Sequence, residues 1–276
     1  TGAWEAAIVN TLSPGDKVLM VETGHFATLW RQLAGRFGIE VDFVPGDWRR
    51  GADPAQIETK LAADTAHSIK AVMVVHNETS TGATSRIADI RAAIDRTAHP
   101  ALLMVDTISS LGSVDYRHDE WKVDVSVSCS QKGFMLPPGL GFNAISEKAR
   151  AASRSNKMPR SYFDWEEMLK PNANGFFPYT PATNLLYGLR EAIAMLLEDL
   201  GLAGRGEAAA RVRAGYFNGD GEMPLNTHGG LLSYGHCGVG GAMAHLVETH
   251  LQMTGRADKD RKSTRLNSSH YQSSRM

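Results

Sequence analysis

The sequence predicts an α/β protein built on a largely parallel β-sheet. Short apolar segments rich in β-branched residues alternate with segments whose apolar residues recur at helical spacing, which is typical of such sheets. Two of the apolar segments, "AVMVVH" (71–76) and "ALLMVD" (101–106), are nearly continuous, as expected for strands buried on both faces. With 276 residues and a hydrophobic content of 42%, the chain is long enough for one large domain or two smaller ones.

Six segments are predicted to form strands, because each is rich in apolar residues and is bounded by a turn or a helical pattern. They are "KVLMVE" (17–22), "EVDFVP" (40–45), "AVMVVH" (71–76), "ALLMVD" (101–106), "VDVSVSC" (123–129) and "GFNAIS" (141–146). Since helical patterns connect several of them, we expect the sheet to be mainly parallel.

Helices are predicted between these strands from apolar spacing and from capping residues. Apolar residues from Phe26 to Phe37 recur at helical spacing, and Gly38 follows them. Asp53 suits the N-cap of another helix, with Pro54 at its first position. Isoleucines at positions 87, 90 and 94 predict a third helix, and a long helix is expected from about residue 181 to about residue 198.

Composition argues against several classes of protein. The formal net charge is -1, which gives no indication of a nucleic-acid or membrane-surface partner. Cys129 and Cys237 are too few for a disulfide framework, so we expect a reducing compartment such as the cytoplasm. No apolar run is long enough to span a bilayer, and we predict no metal site.

Polar side chains stand at the ends of three predicted strands. Residues 76–81 follow one strand, Asp106 ends the next, and Lys132 follows a third. The carboxyl ends of parallel strands share one edge of the sheet, where ligands bind. A partly desolvated lysine can form a Schiff base with an aldehyde, and a buried aspartate can keep a ring nitrogen protonated. Lys132 and Asp106 therefore match the needs of pyridoxal phosphate, although any parallel sheet also ends in polar loop residues.

Three motifs around these residues resemble one enzyme family. They are "VVHNETSTGATSRI" (74–87), "LLMVDTISSLGSV" (102–114) and "SCSQKGFMLPPGLGF" (128–142). In this order they resemble the class V aminotransferases of pyridoxal-phosphate fold type I, and most of all the serine–glyoxylate and alanine–glyoxylate branch. The resemblance implies a large domain with a mostly parallel, seven-stranded sheet with helices on both faces, truncated here at both ends. It also implies a homodimer with active sites at the interface, in the cytoplasm or, if the parent protein is eukaryotic, in the peroxisome.

The resemblance implies roles for the residues nearest the chemistry. Lys132 would carry the cofactor as a Schiff base and move a proton between the substrate Cα and the cofactor, as general base and then acid. Asp106 would pair with the pyridine nitrogen. Gln131 and Thr79 would hydrogen-bond the phenolic oxygen side of the ring, and Ile108 would contact one ring face.

The resemblance also implies how the rest of the cofactor is held. Thr1 and Gly2 match the end of a Gly-rich phosphate loop that opens a helix, where amide donors and the helix dipole would meet the phosphate. Phe26 falls where the family stacks an aromatic ring on the pyridine. Tyr179 or Thr180 would reach the phosphate bound by the neighbouring subunit.

Several of these residue types have simpler interpretations. Phe26 could be helix core rather than a stacking residue. His76 is interpreted as a strand-end histidine without a direct cofactor role, and Cys129 as a small packed residue. Trp4 and Trp30 are interpreted as core residues rather than parts of a site.

The resemblance to an aminotransferase ends at about residue 198. Residues 199–259, with "NTHGG" and "SYGHCGVGG", resemble the C-terminal part of a thiolase; His236 would match its catalytic histidine, with Asn226 and His228 nearby. "DRKSTRLNSSH" (260–270) resembles the translation of a sequencing-library adapter, so we expect 260–276 to be an artefactual, disordered tail. We therefore expect a chimera with a junction between about residues 198 and 206.

The expected reaction of the parent protein is transfer of an amino group from serine or alanine to glyoxylate, with an amino acid and a 2-oxo acid as substrates. We expect this activity to be lost in the chain as given, because the substrate-binding arginine of the family has no match. Two alternatives stay open: an inactive chimeric fragment, and another class V enzyme such as a cysteine desulfurase.

Overall fold

The structure is a computed structural model that describes residues 1–190, 203–204, 206–214 and 216. It divides into two compact units. The first unit consists of Thr1–Ser109, Tyr116–Cys129 and Leu140–Ala182, and it holds the whole β-sheet. The second unit consists of Ser110–Asp115, Ser130–Gly139 and the residues from Thr183 onward.

All six predicted strands are present, with small changes at their ends. They are β1 (Lys17–Val21), β2 (Glu40–Val44), β3 (Ile69–Val75), β4 (Leu102–Asp106), β5 (Val125–Cys129) and β6 (Gly141–Ile145). Their order in the sheet is β2-β1-β3-β4-β5-β6. Every pairing is parallel except that of β5 with β6, which is antiparallel. The described residues thus form a mostly parallel sheet of six strands, against the seven that the resemblance implies.

The first unit contains six helices, and they cover both faces of the sheet. They are α1 (Gly2–Thr11), α2 (His25–Arg36), α3 (Pro54–Ala63), α4 (Ile87–Arg96), α5 (Glu147–Ser155) and α6 (Trp165–Asn172). One buried apolar cluster joins α1, α2 and α6 to one face of the sheet. A second cluster, which includes Ile57, Ile90 and Leu103, joins α3 and α4 to the other face. Two separate cores on the two faces explain why β3 and β4 are almost entirely apolar, with Lys70 and Asp106 as their polar residues.

The predicted helices between the strands are confirmed. The α2 helix contains the spaced apolar residues from position 26, and α4 contains the three isoleucines. The Asp53 carboxylate accepts a hydrogen bond from the Ala55 N–H at 2.9 Å, as expected of an N-cap before a helix that starts with proline. Residues 183–190 are helical, so the helix begins two residues later than predicted, and the predicted part from 191 to about 198 lies outside the described residues.

Helices α5 and α6 were not expected, although each begins with a clear capping residue. The Ser146 hydroxyl accepts from the Ala149 N–H, and the Asp164 carboxylate accepts from the N–H groups of Glu166 and Glu167. In the second unit, residues 208–213 form a short helix, Ala208–Arg213. The predicted thiolase-like residues Asn226, His228 and His236, and the tail 260–276, lie outside the described residues. None of the helices described is both long and apolar enough to cross a bilayer.

Candidate functional site

Asp106 lies where β3 and β4 end together, beside β5. It is the last residue of β4, and its partners in the register are Val75 at the end of β3 and Val127 in β5. The backbone continues this alignment, since the His76 N–H donates to the Asp106 carbonyl at 2.9 Å. The side chain is therefore held at the carboxyl edge of the sheet by hydrogen bonding on both sides.

The Asp106 carboxylate is buried, with 4% of the residue exposed, and each of its oxygens accepts one hydrogen bond. Oδ1 accepts from the Ile108 N–H at 2.7 Å, and Oδ2 accepts from the Trp4 indole N–H at 2.8 Å. Burial raises the pKa of Asp106 to about 6, against the lowering effect of these two hydrogen bonds and with a further rise from the Glu78 charge. The carboxylate is thus a desolvated group that an additional cationic donor would stabilise.

Glu78 is a second buried acidic residue at this edge, and it caps helix α2. Its Oε1 accepts from the Phe26 N–H at 3.2 Å, and its Oε2 accepts from the Ala27 N–H at 3.1 Å. Ser80 adds two more donors to Oε1, its N–H and its hydroxyl, the latter at 2.7 Å. A carboxylate at a helix N-terminus is also favoured by the helix dipole. Glu78 therefore fixes the first turn of α2, in which Phe26 lies.

The close approach of Glu78 to α2 requires a glycine at the start of the helix. Gly24 is the N-cap residue, and a Cβ built on it would lie 2.4 Å from Cγ of Glu78 and 2.7 Å from the Ser80 hydroxyl oxygen. Both distances are shorter than real carbon contacts allow. Gly24 thus permits the loop after β3 to pack directly on the start of α2.

Hydrogen bonds join the loop after β3 to the loop after β4, and the loop after β4 to strand β5. The Thr107 hydroxyl and N–H both donate to the Val127 carbonyl, at 3.0 and 2.8 Å. The Asn77 side-chain amide donates to the Ser109 hydroxyl at 3.2 Å, and that hydroxyl donates to the Asn77 carbonyl at 2.9 Å. The predicted site residue Thr79 lies in the turn after Asn77 and is half-buried. These bonds hold the strand ends in one arrangement.

Phe26 and Ile108 are both half-buried and pack against the apolar cluster that contains Trp4. Phe26 lies in the first turn of α2, and Ile108 lies two residues after Asp106. Each side chain thus contacts the core and retains an accessible part. The two sequence interpretations of Phe26, core packing and ring stacking, are both compatible with this position.

Thr1 and Gly2 lie at the N-terminal end of α1, where Thr1 is the N-cap and makes no capping bond through its side chain. Both residues are exposed. The first N–H groups of a helix have no partner within the helix, and the dipole there is positive. This end of α1 can therefore bind an anion, as the sequence predicts.

Tyr179 and Thr180 lie in an exposed segment near the end of the first unit. The Tyr179 hydroxyl donates to a carboxylate oxygen of Glu167 at 3.0 Å and lies 3.0 Å from the Ser161 hydroxyl. The neighbouring Phe176 is 69% exposed. The structure shows a Tyr179 side chain held within its own chain, on a surface rich in exposed aromatic rings.

Lys132 and Gln131 belong to the second unit, in the loop that follows β5. Lys132 is half-buried and Gln131 is exposed. The loop is closed by three hydrogen bonds: Met135 N–H to the Lys132 carbonyl, Leu136 N–H to the Ser130 carbonyl, and Ser130 hydroxyl to the Pro137 carbonyl. The backbone around Lys132 is therefore fixed by its own turn.

Comparison with known proteins decides the family of this chain. The aminotransferase class-V family model matches residues 1–214. This chain belongs to the class V aminotransferases. The family consists of pyridoxal-phosphate enzymes, so the α/β fold, the mostly parallel sheet and the cofactor class expected from the sequence are confirmed.

Curated relatives and solved structures agree with this assignment. A serine–glyoxylate aminotransferase of Methylorubrum extorquens is 53% identical over 204 residues, covering 72% of this chain and 51% of that protein. An L-aspartate–glyoxylate aminotransferase of Paracoccus denitrificans is 47% identical, covering 72% of this chain and 50% of that protein. The crystal structure of an alanine–glyoxylate aminotransferase from Nostoc sp. superposes with a TM-score of 0.64 and 31% identity, covering 76% of this chain and 54% of that one. The chain spans about half the length of the curated relatives it matches.

A second family model, described as thiolase C-terminal domain-like, matches residues 191–273. The similarity to a thiolase that the sequence motifs indicate is therefore found independently. The two matched ranges overlap between residues 191 and 214, which includes the predicted junction.

The residues of this class V chain fit pyridoxal phosphate. A carboxylate has about four acceptor positions, and Asp106 uses two of them for Ile108 and Trp4, so it can accept a further hydrogen bond from a ring N–H. A positively charged ring nitrogen would also offset the desolvation that raises the Asp106 pKa. The exposed N-terminus of α1 offers amide donors for the phosphate.

Two residues that matter in this geometry were not assigned to it from the sequence. Trp4 is buried in the core, as predicted from the sequence. Its indole N–H also donates a hydrogen bond to Asp106, 102 positions later in the chain. Glu78 lies inside a recognised motif, but its bonds go to residues 51 and 52 positions earlier. No local sequence pattern predicts either set of hydrogen bonds.

Replacing Asp106 with Asn should flatten the pH dependence of stability in the cofactor-free protein. Because the folded pKa of about 6 exceeds the ordinary value near 3.8, the wild-type contribution is present at low pH and is lost as pH rises through about 6. Between about pH 4.5 and about pH 7.5 the wild type should lose about 2 kcal/mol more stability than Asp106→Asn. Urea unfolding at both pH values measures this; equal changes in the two proteins would contradict it.

Replacing Glu78 with Gln should destabilise the first turn of α2. The amide group would present an N–H₂ to backbone donors that now face a carboxylate, with a cost of about 1–3 kcal/mol. Asp53→Asn is the matched control, because this exposed N-cap keeps its acceptor oxygen and should change stability by only about 0.5 kcal/mol or less. The free energy of unfolding from urea titration compares the two variants, and similar losses would show that Glu78 has no special role.

Proposed function

We propose that this chain carries the cofactor-binding part of a glyoxylate aminotransferase, which moves an amino group from serine, or from alanine, to glyoxylate. The observation that carries the proposal is the buried Asp106 carboxylate at the joint end of β3 and β4, with acceptor capacity left for a cationic donor. The similarity to proteins named serine–glyoxylate aminotransferase supports glyoxylate as acceptor and serine as donor.

The cofactor supplies one function that no side chain has. When bound, pyridoxal phosphate withdraws electrons from the bond between the substrate Cα and its hydrogen. In the proposed assignment, Asp106 would keep the ring nitrogen protonated, Phe26 and Ile108 would contact the two ring faces, and the amides of Thr1 and Gly2 would bind the phosphate. Gln131 and Thr79 hydrogen-bond the phenolic oxygen side.

Lys132 is proposed to hold the cofactor covalently and to move the proton. With the cofactor bound, the Lys132 amine would act as a base that takes the proton from the substrate Cα, and its ammonium form would return a proton to the cofactor carbon. The fixed turn around Lys132 suits this role, because it holds the backbone of this half-buried lysine in place. Over both half-reactions serine becomes hydroxypyruvate, glyoxylate becomes glycine, and no net oxidant is consumed.

A homodimer is the proposed assembly, with Tyr179 or Thr180 reaching the phosphate of the neighbouring subunit. The exposed aromatic side chains of Phe176 and Phe177, 69% and 52% accessible, support a contact surface in this segment. We also propose a reducing compartment such as the cytoplasm, since the sequence has two cysteines, too few for a disulfide framework.

Lys132→Ala tests the proposed function directly. The wild-type chain with pyridoxal phosphate should develop a yellow absorption band that survives gel filtration, and Lys132→Ala should lack it. The exposed Lys170 supplies the control, since Lys170→Ala should keep the band. The proposal is wrong if soluble wild-type protein stays colourless. It is also wrong if Lys132→Ala shows the same absorption band as the wild type.

We further propose that the chain joins three segments of different origin: 1–198 from an aminotransferase, 199–259 from a thiolase, and an adapter-derived tail at 260–276. The overlap of the two family matches at residues 191–214 supports a junction near residues 198–206. Sequencing reads from unamplified source DNA should fail to cross positions 198–206 and 259–260. Continuous reads through both points would refute the chimera.

A further inference from the structure

Trp4 connects the start of helix α1 to the acidic residue at the end of β4. Its indole N–H donates to Oδ2 of Asp106 at 2.8 Å, and both residues are 4% exposed. An indole N–H is a donor only, and it cannot accept a hydrogen bond or lose its proton near neutral pH. The bond therefore favours the ionised form of the carboxylate over the protonated form.

The Trp4 ring is itself held in place by a second tryptophan. Trp4 and Trp30 stack with their ring centroids 5.8 Å apart and an angle of 13° between the planes. Trp30 is fully buried in α2, and both rings belong to the apolar cluster on this face of the sheet. Stacked, buried rings have little freedom to turn, so the donor on Trp4 points in a fixed direction.

One donor to Asp106 is a backbone N–H group from the adjacent loop, and the other is a side-chain N–H group from helix α1. The Ile108 N–H is a backbone group in the loop that continues from Asp106, and it binds Oδ1 at 2.7 Å. The Trp4 N–H belongs to a distant helix and binds Oδ2. With one fixed donor on each oxygen, the carboxylate plane is fixed too, and the unused acceptor positions point in defined directions.

We propose that Trp4 is a positioning residue for the cofactor, which holds the Asp106 carboxylate as an oriented anion for the protonated ring nitrogen of pyridoxal phosphate. This inference rests on the proposed function. It assigns to a core tryptophan a part in cofactor binding through Asp106, without contact to the reacting atoms. The other charges that act on Asp106 are the Glu78 carboxylate and the amino group of Thr1.

The stacked pair supplies its own matched control. Among the described residues, the Trp30 indole N–H has no hydrogen-bond partner. Trp4→Phe and Trp30→Phe therefore remove the same group from the same ring pair, but only the first removes a bond to Asp106. Any general effect of losing an indole in this core should appear in both variants.

The first measurement uses the cofactor-free protein and does not depend on the proposed function. Carbon-13 NMR of protein labelled at the aspartate carboxyl carbon follows the titration of Asp106, whose signal is the one missing in Asp106→Asn. We expect the Asp106 pKa to rise by about one to two units in Trp4→Phe and to stay unchanged in Trp30→Phe. Equal titration curves in all three proteins would overturn the proposal.

The second measurement is the dissociation constant for pyridoxal phosphate, from equilibrium dialysis at about pH 7.5. Trp4→Phe should weaken binding about tenfold or more, while Trp30→Phe should stay within about twofold of the wild type. A shifted pKa with unchanged affinity in Trp4→Phe would overturn the positioning role. Failure of the wild type to bind would instead overturn the proposed function, with the NMR result still standing.

If Trp4→Phe does not fold, a closer isostere takes its place. Trp4→3-benzothienylalanine keeps the two fused rings and their stacking on Trp30, and it replaces only the N–H with sulfur. The expected shifts in pKa and affinity are the same as for Trp4→Phe. Wild-type values for both quantities in this variant would overturn the proposal.

Discussion

The parallel register of β3, β4 and β5 is the constraint on which the rest of the first unit depends. Because Val75, Asp106 and Val127 lie side by side, the loops that follow β3 and β4 begin at the same edge, next to β5. The hydrogen bonds between Asn77 and Ser109, and between Thr107 and Val127, form only in this register. A shift by one residue would turn Asp106 to the other face of the sheet, away from Trp4.

Two carboxylates are buried at this edge, and they differ in how many hydrogen bonds they accept. Glu78 receives four hydrogen bonds and faces the positive end of a helix, so its charge is well compensated. Asp106 receives two, and its pKa is raised to about 6 by burial. Of these two carboxylates, only Asp106 can accept a further hydrogen bond. A binding site for a cationic ring requires such an acceptor.

Much of the fold was predictable from the sequence, because it depends on local patterns. Continuous apolar runs predicted the strands, and Asp53 before Pro54 predicted the start of α3. Helices α5 and α6 were missed because α5 contains no large apolar residue, and α6 has only eight residues and includes Pro171. For the site, the motifs indicated Asp106 and Lys132. The contact of Trp4 with Asp106 could not be predicted, since it joins residues 102 positions apart through packing alone.

The close packing of Gly24 against Glu78 limits which amino-acid substitutions are possible at these two positions. A side chain at position 24 and a glutamate at position 78 would occupy the same volume, since a Cβ on Gly24 would lie 2.4 Å from Cγ of Glu78. The residues at these two positions are therefore sterically coupled. If position 24 becomes alanine, position 78 must carry a smaller side chain, or the loop after β3 must move. Among aligned relatives, substitutions at these two positions should occur together.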